Sequence, residues 1–135
     1  MSMVTIGEAA KQSGVSAKML RHYEQIGLIV PASRSDSGYR LYSQASIATL
    51  AFIRHARDLG FSTTQISDLL HLRNDPQRAS REVKSVAETH LQELHAQQQR
   101  LTQMIAMLQA MISQCPGDND PDCAILKTID TMEVS

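Results

Sequence analysis

Tryptophan is absent from this 135-residue chain, and there are only two phenylalanines and three tyrosines. So few rings argue against a large aromatic-lined substrate pocket. No apolar run approaches the ~18 residues that a membrane-spanning helix needs, and the N-terminus lacks the basic-then-apolar pattern of a secretory signal. The expected setting is the cytoplasm, with no membrane partner. No nucleophile–base pair, phosphate-binding loop or acid pair stands out, so the chain is not expected to be an enzyme. Cysteine is scarce as well: Cys115 and Cys123 are the only two. In a reducing compartment such a pair is more often free thiols or metal ligands than a structural disulfide.

The net charge of −1 hides an asymmetry. Residues 1–60 carry seven Lys/Arg against four Asp/Glu, whereas residues 61–135 carry six against ten. A modestly basic N-terminal half can meet phosphates, which the acidic half does poorly. The length suits one compact domain, or a small domain plus an extended helix.

Turn and cap residues divide the first half. Thr5-Ile6-Gly7-Glu8 has the form of a capping box and opens a helix that Gly14 closes. Ser16 caps a second helix from about Ala17 to Gln25, with Gly27 beyond it. Two short helices joined by a glycine-containing turn form a helix-turn-helix pattern. Ile6, Ala9 and Ala10 should pack against Val15, Leu20 and Tyr23. The β-prone runs Leu28-Ile29-Val30 and Tyr39-Arg40-Leu41-Tyr42 flank the polar stretch 33–38, which reads as a hairpin, or wing. Ser43 caps a third helix with Ile47, Leu50, Ile53 and Ala56 on one face, ending at Gly60. Ser62 or Thr63 starts a fourth, carrying Ile66, Leu69 and Leu70, which breaks near Asn74-Asp75-Pro76.

From Ser80 to Ser113 there is neither proline nor glycine. Leu94, Leu101 and Leu108 recur every seven residues behind Ala87, while Leu91, Ile105 and Ile112 fill the partner positions, interrupted by Gln98. This is a heptad seam on a helix about 50 Å long. So small a chain has too little to cover it, and a second copy is the expected partner.

Beyond the helix comes Cys-Pro-Gly-Asp-Asn-Asp-Pro-Asp-Cys, residues 115–123. Its proline and glycine let the chain double back and bring the two sulfurs together. Two thiolates offer half of the four ligands zinc normally takes, and the loop holds no histidine. Soft donors in that number favour Cu(I), Ag(I) or Au(I). A reversible disulfide is the chemical competitor. Asp118, Asp120 and Asp122 are hard ligands better suited to loop solvation or helix capping. His71, His90 and His95 read as solvated or interface residues, and Met104, Met107 and Met111 as flexible apolar filling.

The segments T-I-G-E-A-A-K, M-L-R-H-Y-E-Q-I-G-L-I, S-G-Y-R-L-Y and R-D-L-G-F resemble the MerR family of bacterial transcription regulators, and the resemblance runs on through the long helix. The cysteine loop resembles that of the copper-efflux regulators, the branch sensing copper, silver or gold as monovalent ions. The resemblance implies a mostly α chain: a winged helix-turn-helix with a helical connector over residues 1–76, a dimerisation helix over 77–113 forming an antiparallel coiled coil, and a metal-binding loop with C-terminal segment over 114–135. It implies a homodimer on double-stranded promoter DNA, with RNA polymerase on the same promoter. One monovalent ion per subunit would be held by Cys115 and Cys123, making the dimer distort an over-long promoter spacer.

On this resemblance Lys18, Arg21 and Tyr23 belong in the groove or at its lip, Arg34, Tyr39 and Arg40 on the DNA backbone, and Arg57 nearby. Taken alone, these residues also fit a solvated helix face with Tyr23 in the core. Ser80 is placed to cap the long helix. By resemblance it stands where divalent-metal members carry a further cysteine, which leaves it beside the metal at most. Two other readings fit the loop: a redox regulator using a Cys115–Cys123 disulfide, and a metal-sequestering protein without promoter affinity.

Overall fold

The computed structural model describes residues 3–30, 33–119 and 121–133. Asp120 lies outside the described residues. In chain order the elements are β1 (Val4–Thr5), α1 (Ile6–Ser13), α2 (Ala17–Gln25), β2 (Ser33–Arg34), β3 (Arg40–Tyr42), α3 (Gln44–Asp58), α4 (Thr63–Arg73), α5 (Ser80–Gln114) and α6 (Ala124–Thr131). They fall into two compact units, Met1–Ala87 and Glu88–Ser135.

Local chemistry sets most boundaries in the first unit. Thr5, Ser16, Ser43 and Ser62 each flank a helix in extended backbone, and their hydroxyls accept an amide of the first turn. Such a cap satisfies one of the orphan donors at a helix start and contributes about 1 kcal/mol. Ser62 completes a reciprocal capping box, its own amide donating to Gln65 Oε1 at 2.9 Å. At the other end of α3, Gly60 takes φ 85°, and the Phe61 amide reaches back to the Ala56 carbonyl at 3.1 Å. That six-to-one bond with a left-handed glycine is a Schellman stop.

The core gathers the expected apolar faces. Ala9 of α1 and Leu20 and Tyr23 of α2 are buried with Val15 of the turn between them, and Ile6 packs against them from its partly buried position. Ala10 is half-buried and stands outside this cluster. All four residues expected on the inner face of α3 are buried. On α4, Ile66 and Leu70 are buried and Leu69 is half-buried.

The wing differs from the sequence expectation. Its outer strand is Ser33–Arg34, not Leu28–Val30, with Ser33 paired to Leu41 and Arg34 to Arg40. Leu28 is unavailable to a ladder because its amide already donates to the Tyr23 carbonyl at 2.9 Å, closing a Schellman stop on α2 beside Gly27 at φ 81°. Ile29 is buried in the core instead. The sheet also has a third member that the hairpin reading lacks: β1 pairs antiparallel with β3, giving the order β1-β3-β2. Two-residue strands carry no periodicity from which to read them.

The 35 residues of α5 begin in the first unit, with residues 80–87, and the remainder belong to the second. Ser80 is the first residue of that helix, so the flanking cap position falls to Ala79, which has no side-chain acceptor. That corrects the capping role expected of Ser80. The short helix α6 was also unforeseen.

Candidate nucleic-acid interface and candidate thiol centre

On α2, Lys18, Arg21, His22 and Gln25 are all exposed, while Leu20 and Tyr23 turn inward. The spacing i, i+3, i+4, i+7 puts the exposed four on one helix face. Tyr23 is 3% exposed, so its ring is a core element. What reaches outward is its hydroxyl, which accepts a hydrogen bond from Arg57 Nη1, with the guanidinium 5.9 Å from the ring centroid. Arg57 is thus steered by a buried phenol.

The wing loop is built by its own residues. The Ser35 amide donates to the Tyr39 carbonyl at 2.8 Å, the Gly38 amide to the Ser35 carbonyl at 2.9 Å, and Gly38 takes φ 86°. Arg34 Nη1 donates to the Gly38 carbonyl at 3.0 Å, which folds the arginine along the loop. Tyr39 is 69% exposed at the tip.

Arg40 points back toward α2, where its Nη1 lies 2.7 Å from Glu24 Oε2. The same oxygen accepts the Tyr42 hydroxyl at 3.0 Å. Tyr42 and then Glu24 raise the Arg40 guanidinium above its ordinary value. Burial raises the Tyr42 phenol, the Arg40 hydrogen bond opposes this, and Glu24 adds to it. One carboxylate therefore joins the wing to the second helix. Sequence reading missed Glu24, because no local pattern marks a partner sixteen positions away.

At the end of α5 the chain turns through Pro116 and Gly117, the latter at φ 68°. Both cysteines are free and half-buried, and their sulfurs stand 3.3 Å apart. Cys123 occupies the flanking position of α6 in extended backbone, with no side-chain capping hydrogen bond. The Leu126 amide, the Cys115 thiol and the Ile125 amide, in that order, hold the Cys123 thiol below its ordinary value. A thiol at a helix N-terminus is poised to ionise in this way.

Those two thiols suit a metal that accepts two soft donors. Among the described residues no group of three or more His, Cys, Asp or Glu side chains is placed to hold a metal. Asp122 is exposed and lies 3.6 Å from Lys127 Nζ. His71 and His95 are exposed, and His90 is buried with Nδ1 3.7 Å from Glu93 Oε2. Met104 and Met107 are exposed and Met111 is buried.

Comparison with known proteins bears on both regions. Residues 5–42 match the model described as MerR family regulatory protein, and residues 47–111 the model described as MerR, DNA binding. The chain is 50% identical over 126 residues to heavy metal-dependent transcription regulator 2 of Rhizobium meliloti, covering 93% of this chain and 86% of that one. It is 36% identical to the HTH-type transcriptional regulator CueR of Escherichia coli O6:H1, covering 93% of each. Among solved structures, the transcription regulator PbrR691 from Ralstonia metallidurans CH34, in complex with lead(II), aligns with TM-score 0.81 at 28% identity over 94% of this chain and 99% of that one.

Proposed function

The chain belongs to the MerR family of transcription regulators, and from that premise we propose that it is a promoter-binding homodimer whose activity is switched by a monovalent soft metal ion held between Cys115 and Cys123. The family is one of DNA-binding regulators and not of enzymes. The observation that carries the metal reading is the 3.3 Å approach of the only two cysteines in the chain. A relative named as heavy metal-dependent and a structural relative bound to lead(II) support it.

In this reading residues 1–76 form the winged DNA-binding domain with its connector, 77–113 the dimerisation helix and 114–135 the sensing segment. Lys18 and Arg21 face the groove. Arg34 and Tyr39 meet the backbone from the wing, Arg40 sets the wing against α2, and Arg57 is aimed by the Tyr23 hydroxyl. The apolar seam of α5 supports the dimer. Leu94, Leu101 and Leu108 are 39%, 55% and 49% exposed, and Ile105 and Ile112 more than half. Covering the exposed half of each such side chain in a helix–helix seam would stabilise by roughly 1 kcal/mol. Ser80 is kept in this reading as a residue beside the metal at most, a serine that withholds a third soft donor.

Bound Cu(I), Ag(I) or Au(I) would supply one closed two-sulfur link across the loop. The residues themselves do the selecting. Two thiolates without a third soft donor disfavour zinc, which wants four ligands. Anaerobic titration with Ag(I), counting reactive thiols at each step, tests this: both thiols should vanish together at one equivalent per chain. The same sulfur approach also favours a disulfide reading. Mild peroxide followed by thiol counting separates the two, since a redox sensor loses both thiols reversibly without metal.

A further inference from the structure

Gly14, in the turn between α1 and α2, adopts φ 74°. A Cβ built on it would stand 2.0 Å from Arg54 Nη1 and 2.8 Å from Arg54 Cζ. The guanidinium of Arg54, carried on α3, therefore rests against Gly14, where a larger residue would push this flexible tip aside. Gly14 serves the turn and the arginine at once.

Beside it, Val15, Ser16, Met19, Tyr23 and Arg57 line a shallow hollow. Ser16 begins α2, and its hydroxyl accepts the Met19 amide at 3.2 Å. The hollow thus joins the positive end of a nine-residue helix to two guanidinium groups. Arg57 gives one N–H to Tyr23. Arg54 has no hydrogen bond or ion pair among the described residues. Asp58 shares the rim but pairs with neither arginine among the described residues. An unneutralised planar fork of donors, next to helix amides, matches a phosphate oxygen pair.

We infer that Arg54, with Arg57 and the first turn of α2, forms a seat for one backbone phosphodiester of the bound duplex. This rests on the DNA-binding reading above and adds to it a residue outside the recognition helix and wing. A phosphodiester is favoured over a free anion because both arginines are exposed beside the N-terminus of α2, the helix that the DNA-binding reading sets in the groove. Base edges are not within the logic of this seat. It positions α2 without reading sequence.

The test is a salt series of duplex binding by the full-length protein, on its own promoter and on a random duplex. Arg54→Ala should weaken both duplexes alike and lower the slope of log affinity against log salt by about 0.9 per subunit contact. Arg54→Lys should restore the slope while leaving affinity below wild type, because the charge returns without the fork. Inorganic phosphate alone should compete only at high millimolar concentration. Melting curves of each variant separate folding from contact. An unchanged slope in Arg54→Ala, while Arg21→Ala weakens binding, overturns the seat and leaves the regulator standing. Saturation of the hollow by micromolar phosphate would overturn it in favour of a free-anion site. A wild-type protein with no salt-dependent duplex affinity removes the regulator reading and the seat together.

Discussion

Glu24 of the second helix and Arg40 of the wing meet at 2.7 Å across sixteen positions of sequence. The pair is half-screened, with the arginine side chain 34% and the carboxylate 11% exposed. Its value lies in geometry as much as energy: the wing and the recognition helix are held at one angle. Arg40 is thereby occupied inside the protein before any DNA arrives.

Glu24→Gln should therefore weaken promoter binding although Glu24 faces no phosphate. A charge-assisted hydrogen bond is lost at a partly exposed site, costing about 1–2 kcal/mol of stability. Melting temperature and promoter affinity should fall together. A variant that melts earlier yet binds with unchanged affinity would show that the wing angle does not matter.

Arg21→Ala removes an exposed cation from the outer face of α2. If Arg21 reads a base edge, about 1–3 kcal/mol of affinity is lost and specificity relaxes at one position. If it meets a phosphate, affinity falls on every sequence and the salt slope drops by about one. Quantitative binding to a panel of single-base promoter variants tells these outcomes apart, and full retention of affinity would take α2 out of the groove.

Much of this architecture was legible because its causes are local. Thr5, Ser16, Ser43 and Ser62 announce helix starts, and Gly14 and Gly60 announce stops, each within a few residues of the element it bounds. The cysteine loop was legible for the same reason, since proline and glycine between two sulfurs bend a short segment. What escaped depended on distant partners or on missing signals. Leu28-Ile29-Val30 looks like a strand by composition, but the cap on α2 takes the Leu28 amide and the core takes the Ile29 side chain. Glu24 gives no local hint of Arg40 or Tyr42. The helix α6 starts at a cysteine with no side-chain capping bond, so the usual opening signal is absent.

Leu101→Asp addresses assembly. Leu101 is 55% exposed in a single chain, so a monomer would tolerate aspartate there with little change. In a helix–helix seam the same carboxylate is buried unpaired, at a cost of several kcal/mol felt twice in a symmetric dimer. Sedimentation should show a monomer or a poorly soluble protein, with promoter affinity lost because two half-sites no longer bind together. A dimeric, active Leu101→Asp protein would take the long helix out of the interface.

The central claim, that the two cysteine sulfurs 3.3 Å apart are the switch, is tested most directly by transcription from the adjacent promoter. Wild type, Cys115→Ser and Cys123→Ser would be compared with copper, silver, gold, zinc and mercury in turn. The expected result is activation of the wild type by the monovalent ions alone, and none in either serine variant, with promoter binding by both variants kept within a few-fold of wild type. Full activation of Cys123→Ser by copper, or activation of the wild type by zinc at equal strength, would contradict the two-thiolate account.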